Sequence, residues 1–205
     1  AFAWGRVAAV DPDAVARAAK SRPDQLEHRR LSDSVEEMIE RRAAFLTDYQ
    51  DAAYAARYRD RVARLSQAAS GLGAPGEEIR ETVARELFRL MAIKDEYEVA
   101  RLFTGDSFKR QLSETFESFQ KLEFHLAPPL LSRTDKRTGR PAKRRFGPWM
   151  MPAFRLLARM KGLRGGALDL FGRTQERRRE RLLRDEYERI VDEVAGSLDA
   201  GNVAA

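Results

Sequence analysis

The chain has 205 residues, of which 43% are hydrophobic and 34% are charged, and its formal net charge is +6. This length and hydrophobic content predict a folded protein rather than a disordered chain. The sequence contains no Cys, which excludes disulfide bonds, thiolate nucleophiles and cysteine-ligated zinc or iron–sulfur sites within these residues. Its two histidines, His28 and His125, lack the spacing of a helical zinc motif.

No segment approaches the roughly 18 to 20 consecutive apolar residues that a membrane-spanning helix requires, and no signal-peptide pattern begins the chain. We therefore expect a cytoplasmic location and no membrane partner. The first residue is Ala1 rather than Met, and no helix-terminating signal precedes Ala205. We interpret residues 1–205 as a single helical accessory domain, a fragment of a larger chain.

Helical periodicity dominates the first half of the chain. Residues 11–13 favour the start of a short helix that ends near Pro23. Ser32 or Asp33 is predicted to cap a helix of about 35 residues, which the glycines of residues 71–76 terminate. The amphipathic pattern then returns.

The next segments predict two helices and one hairpin. Residues 77–102 are read as one extended helix, and residues 106–116 as another after a glycine break. Residues 122–126 alternate in polarity before two prolines, which favours a short edge strand. A turn signal at 138–141 and a returning strand at 143–146 complete a mobile, basic β-hairpin at about 121–148.

Two more helices are predicted after the hairpin. One occupies residues 152–161, with basic residues on its outer face, and Thr174 caps a last helix that ends by Gly196. The architecture is therefore predicted to be mostly α, with about six helices and one small β-hairpin. The apolar face of the last helix is predicted to contain Leu182, Leu183, Tyr187, Ile190, Val191 and Val194.

Positive charge is concentrated in residues 132–164, where eleven basic residues face Asp135 alone. Such a stretch is typical of a solvated surface, of an acidic protein partner or of a nucleic-acid interface. The candidate residues for binding an anion or partner are Arg133, Lys136, Arg137, Arg140, Lys143, Arg144 and Arg145.

The residue types support no self-sufficient catalytic motif. Paired carboxylates on helices are usually structural, and the glycines of residues 162–166 lack the Lys and Ser or Thr of a phosphate loop. A pocket built from Lys94, Glu96, Glu98 and His125 is the remaining arrangement for a self-contained enzyme. The sequence assigns no catalytic residue and no metal ligand.

Five segments together resemble the large fused indolepyruvate ferredoxin oxidoreductases, and the resemblance extends in the same order from the first residues to about Asn202. The segments are 3–6 (AWGR), 50–55 (QDAAYA), 94–102 (KDEYEVARL), 124–131 (FHLAPPLL) and 146–150 (FGPWM).

This resemblance implies a C-terminal helical domain of an enzyme that oxidatively decarboxylates aryl 2-oxoacids such as indolepyruvate. The parent enzyme would form acyl-coenzyme A and reduce ferredoxin, using thiamine diphosphate, magnesium and iron–sulfur clusters, and would be a homo-oligomer. Residues 1–205 contain neither cluster-ligating Cys nor the Gly-Asp-Gly motif of thiamine enzymes. The resemblance therefore transfers no catalytic residue and no cofactor to this chain.

The leading hypothesis is a non-catalytic accessory domain that packs on other domains of the parent oxidoreductase. Its basic hairpin is expected to bind an acidic ferredoxin or a coenzyme A phosphate, because clustered arginines suit both anions. The alternative is an independent helical nucleic-acid-binding module, in which the basic 132–164 stretch binds phosphates while Phe146 and Trp149 stack on bases.

Overall fold

A computed structural model describes residues 2–13, 15, 31–126 and 142–203. The described residues form eight α-helices and one two-stranded antiparallel hairpin, which confirms the mostly α fold with a small hairpin. By internal contacts the chain divides into two compact units, Ala1–Met38 and Ile39–Ala205. None of the helices in the described part is long and apolar enough to cross a membrane.

The elements follow one another along the chain with short connections. They are α1 (Phe2–Val10), α2 (Val35–Tyr49), α3 (Ala52–Ala69), α4 (Gly73–Met91), α5 (Glu96–Thr104), α6 (Asp106–Thr115), β1 (Phe124–Leu126), β2 (Arg144–Phe146), α7 (Met150–Arg159) and α8 (Gln175–Ser197). Single 3₁₀ turns occupy Met160–Leu163 and Phe171–Arg173.

In the first unit, α1 lies outside the predicted helices. Residues 12, 13 and 15 are helical, in agreement with the start predicted at residues 11–13, whereas the end predicted near Pro23 falls outside the described residues. The Ser34 hydroxyl accepts a hydrogen bond from the Glu37 N–H at 3.1 Å, and the Glu37 carboxylate accepts from the Asp33 N–H at 2.6 Å. This reciprocal arrangement caps α2.

Two predicted helices are each divided by an aspartate, which explains why there are eight helices rather than about six. Asp51 adopts an extended conformation between α2 and α3, and its carboxylate accepts from the Tyr54 N–H at 2.8 Å. Asp95 caps α5 in the same way, accepting from the Glu98 N–H at 2.8 Å. The prediction of one helix of about 35 residues is therefore wrong, because a capping carboxylate starts a new helix within it.

The packing of α3 against α4 and α8 forms the first core of the second unit. Tyr58 is fully buried, and its hydroxyl donates to the Ala84 carbonyl of α4 at 2.9 Å. Arg57 and Arg61 of α3 both form ion pairs with Glu188 of α8, whose side chain is 3% exposed. Hydrogen bonds and buried ion pairs thus accompany apolar packing between these helices.

A second core joins the hairpin to α5 and α7. Phe124 of β1 lies opposite Phe146 of β2 in the register. The Phe124 ring packs edge-on against Phe154 of α7, with 5.1 Å between ring centroids, and Phe103 of α5 stacks on Phe154 at 5.2 Å. The hairpin is therefore held against two helices by aromatic contacts.

Candidate functional site

The described half of the basic candidate set lies on and beside β2. Lys143, Arg144 and Arg145 are exposed, whereas Arg133, Lys136, Arg137 and Arg140 lie outside the described residues. In the register, Arg145 lies opposite His125, and Phe146 lies opposite Phe124. Since alternate residues of a strand face opposite sides, Arg145 projects from the face away from the aromatic core.

Few carboxylates neutralise these cations. Arg145 lies 3.5 Å from a Glu123 oxygen, and its side chain remains 69% exposed. The hydrogen bond from Lys121, and then the neighbouring Arg145 charge, hold the pKa of Glu123 below its ordinary value. Within residues 31–126 and 142–203, neither Lys143 nor Arg144 forms an ion pair, so positive charge is presented to solvent.

The basic residues that follow the hairpin divide into two groups. Arg155 and Arg159 of α7 are exposed and form no ion pair with any described residue, and their spacing places them on one helix face. Lys161 instead donates to the carbonyls of Thr47 and Asp48, at 3.2 and 2.7 Å. Arg164 is also used internally, so the prediction of a basic outer face holds for α7 but not beyond it.

An aromatic side chain lies among the exposed cations. Trp149 is 63% exposed and contacts Phe146 edge-on, with ring centroids 5.9 Å apart. We define the β2–α7 surface as Lys143, Arg144, Arg145, Trp149, Arg155 and Arg159. It combines exposed positive charge with an exposed indole ring on a hairpin and helix that share one core.

A second candidate site is a cavity of about 230 Å³ lined mostly by polar side chains. It lies where the ends of α2 and α4 meet the start of α5, the loop at residues 164–172 and the first half of α8. Five arginines and four carboxylates line it, together with three tyrosines. These residues are Arg57, Arg164, Arg177, Arg181, Arg184, Asp95, Glu96, Asp169, Glu180, Tyr49, Tyr54 and Tyr97.

One side of the cavity is fixed by a buried ion pair. The Arg164 guanidinium donates to both Asp95 oxygens, at 2.5 and 2.9 Å, and the two side chains are 11% and 9% exposed. The same guanidinium lies 3.6 Å from the ring centroid of Tyr49 and donates to its carbonyl. This bidentate and stacked arrangement uses the geometry that distinguishes arginine from lysine.

A buried aspartate shapes the neighbouring loop. Asp169 accepts from the N–H groups of Gly165 and Gly172, at 2.8 and 2.9 Å, and from the Tyr97 hydroxyl at 3.2 Å. A Cβ at Gly172 would lie 2.2 Å from an Asp169 oxygen and 2.7 Å from Arg181 Nη1. Only glycine therefore fits at this position without moving the cavity wall.

Burial controls the protonation of the tyrosines in the wall. Burial, and then the Asp169 carboxylate, raise the pKa of Tyr97 to about 12. Burial also raises the pKa of Tyr49 and that of Tyr54 above the ordinary value. All three hydroxyls therefore remain protonated at neutral pH, so they serve as hydrogen-bond donors rather than as bases.

Three arginines of α8 face the cavity at helical spacing, namely Arg177, Arg181 and Arg184. Arg177 binds Glu180 at 2.7 Å, and Arg184 binds Asp185 at 2.7 Å. Arg181 differs, because its acceptor is the Gly172 carbonyl and no described carboxylate lies within ion-pair distance of it. The spacing of four and then three residues is the sequence signal for this inward stripe, which our reasoning from composition missed.

Glu96 is the second polar group of the cavity without full satisfaction. One of its oxygens is buried and has no hydrogen-bond partner among the described residues, and the other lies 3.9 Å from Arg177. Burial raises the pKa of Glu96, against the smaller lowering effects of its own backbone N–H and of Arg177. An ionised Glu96 is therefore left partly uncompensated in the wall.

The residues proposed for a self-contained enzyme do not share one pocket. Glu96 lines the cavity, whereas Glu98 is absent from the wall and forms a bidentate ion pair with Arg101, at 2.7 and 2.8 Å. His125 is exposed on β1. Across residues 2–13, 15, 31–126 and 142–203, no three acidic or histidine side chains are grouped as a metal site.

Comparison with known proteins gives one family. The sequence model of a family described as "Family of unknown function (DUF6537)" matches residues 35–205. No curated protein matches the sequence, and no solved structure matches the fold.

Proposed function

The chain belongs to the DUF6537 family, whose function is unknown, and we propose that it is a non-catalytic interaction module that binds an acidic protein surface. The proposal rests on one observation: the β2–α7 surface presents exposed cations that described carboxylates leave largely unneutralised. Electrostatic complementarity of this kind steers association and selects partners of opposite charge.

The packing of this surface supports binding by a preformed site. Phe124 and Phe154 fix the hairpin to α7, so the cations are positioned by a core rather than by a free loop. Ordered side chains lose less conformational freedom on association than mobile ones. Trp149 adds an exposed aromatic group, a residue type enriched where interfaces are strongest.

We further propose that the parent protein is an indolepyruvate-type 2-oxoacid ferredoxin oxidoreductase of the cytoplasm, supported by the five resembling segments. Thiamine diphosphate, magnesium and iron–sulfur clusters would then be held by other domains, since this chain has no Cys. The acidic partner would be a neighbouring domain or ferredoxin. Deleting this domain should impair assembly or turnover of the complete oxidoreductase.

The binding role is tested by reversing two charges of β2. We expect the double substitution Arg144→Glu and Arg145→Glu to raise the Kd for an acidic ferredoxin by about tenfold or more, since like charges at an interface cost several kcal/mol. Biolayer interferometry with the 205-residue chain measures this. Raising the salt from about 0.1 M to about 1 M shortens the Debye length from about 10 to about 3 Å and should also weaken binding.

A matched control is available on α8. Arg178 and Arg179 are also adjacent and exposed, and no described carboxylate pairs with them, so Arg178→Glu with Arg179→Glu changes the net charge equally. Binding should be nearly unchanged in this control. Equal weakening in both double variants would show a non-specific charge effect, and unchanged binding in the β2 variant would reject the proposed surface.

The nucleic-acid alternative is favoured by one feature, the exposed Trp149 among the cations. Base stacking on an aromatic ring contributes about 1–3 kcal/mol per base. A single-stranded oligonucleotide whose binding falls steeply with salt, and falls again in Trp149→Ala, would support that alternative over the acidic-protein role.

A further inference from the structure

The cavity beside α8 contains two polar groups that the chain itself does not satisfy. Arg181 is a partly buried cation without a described carboxylate partner, and one Glu96 oxygen is buried without a donor. Both residues line the same cavity. Buried polar groups normally find partners, so two opposite deficiencies in one cavity require a common explanation.

We propose that this cavity binds a small organic molecule that carries both an anionic group and a hydrogen-bond donor. The anionic group, a carboxylate or a phosphate, would bind Arg181. The donor, an amino or hydroxyl group, would bind the free Glu96 oxygen. Each ligand group therefore supplies what one wall residue lacks.

The charge pattern of α8 supports an anion at Arg181. Arg177, Arg181 and Arg184 lie on one face of the helix, at spacing that brings like charges close together. Glu180 and Asp185 neutralise the outer two, at 2.7 Å each. The central guanidinium is left as the position at which an added anion relieves repulsion most directly.

The wall composition limits the ligand to a small one. A volume of about 230 Å³ is below the roughly 300–1,000 Å³ typical of pockets for drug-sized ligands. Tyr97 and Phe171 form one aromatic corner, with ring centroids 5.4 Å apart, and Met91 adds apolar surface. A short aliphatic or compact ring between the two polar groups fits these walls.

Calorimetric titration of the 205-residue chain tests the inference with four named probes. Phosphoethanolamine and 3-aminopropanoate carry both groups, whereas inorganic phosphate carries only the anion and ethanolamine only the donor. We expect at least one bifunctional probe to bind saturably and more tightly than either single-group probe. If neither bifunctional probe binds more tightly than phosphate and ethanolamine, the inference is wrong.

Three substitutions assign the two contacts. Arg181→Gln should weaken the bound probe by about tenfold or more, as expected for loss of a charge-assisted hydrogen bond. Glu96→Gln should weaken the bifunctional probe while leaving phosphate binding unchanged. Arg179→Gln, on the exposed face of α8, is the matched control and should bind as the wild type does.

A charge-retaining variant guards against misfolding. Arg181→Lys keeps the cation but loses the planar guanidinium, so it should recover part of the affinity lost in Arg181→Gln. Thermal melting of each variant verifies that it is folded before titration. Binding that survives both Arg181→Gln and Glu96→Gln in folded protein would place the probe elsewhere and overturn the inference.

Discussion

Arginines of the β2–α7 surface and arginines of the cavity wall have the same chemistry and opposite environments. Arg155 and Arg159 are exposed on α7, with no described carboxylate beside them. Arg164, a few residues later, is 11% exposed, pairs with Asp95 and stacks on Tyr49. Buried and paired guanidinium groups determine structure, whereas exposed ones are available to a partner.

The difference shows that a basic stretch is not one functional unit. Residues 132–164 carry eleven basic residues, but Lys161 and Arg164 are used to join the end of α2 to the loop that follows α7. The net charge of a segment therefore overstates what a partner can contact. Substitutions in the two regions should separate into effects on stability and effects on binding.

The largest effect is expected for Asp95→Ala. This change removes the cap of α5 and leaves the buried Arg164 unpaired, and breaking a buried ion pair on one side costs about 3–5 kcal/mol. Urea denaturation measures the free energy of unfolding. Asp106→Ala removes an exposed carboxylate from the first turn of α6 and should have a much smaller effect; equal losses would contradict the importance of burial.

A smaller effect should appear at alkaline pH. The pKa of Tyr97 is about 12 in the fold and about 10 in an unfolded chain, so the folded state holds this proton more tightly. Its stabilising contribution is complete below about pH 10 and is lost as pH rises towards 12, amounting to about 2.7 kcal/mol at 1.36 kcal/mol per pH unit.

The matched variant is Tyr97→Phe, which cannot ionise at this position. Its free energy of unfolding should fall less steeply between about pH 10 and pH 12 than that of the wild type, as measured by urea denaturation across this range. The other buried tyrosines, whose pKa values are also raised, should give both proteins a common residual slope. Identical slopes would show that Tyr97 does not titrate as described.

The hairpin was predictable because its signals are local. Alternation in residues 122–126, a turn sequence and a returning strand specify pairing between near neighbours, and the strands β1 and β2 lie where these signals place them. The cap of α8 at Thr174 is likewise confirmed, since its side chain accepts from the Arg177 N–H at 3.3 Å. Such features need no knowledge of tertiary contacts.

The helix breaks at Asp51 and Asp95 were harder to predict, because both residues fall within continuous amphipathic patterns. A carboxylate in such a pattern can cap a helix or face solvent, and tertiary packing decides between these states. The apolar face of α8 is only partly correct for a related reason. Val191 is buried, but Leu182 and Leu183 are 68% and 61% exposed, because arginines rather than leucines fill the position against the cavity.

The smallest effect on stability is expected where two pairs of arginines with identical spacing are compared. Arg155→Ala with Arg159→Ala on α7 should change the free energy of unfolding by no more than roughly 0.5 kcal/mol, as for surface substitutions without partners. Arg57→Ala with Arg61→Ala on α3 should cost about 3–5 kcal/mol, because it leaves Glu188 buried and unpaired. Urea denaturation of both double variants makes the comparison direct. Since the number and spacing of the lost charges are the same, similar losses would mean that the α7 arginines are structural and that the β2–α7 surface is not free for a partner.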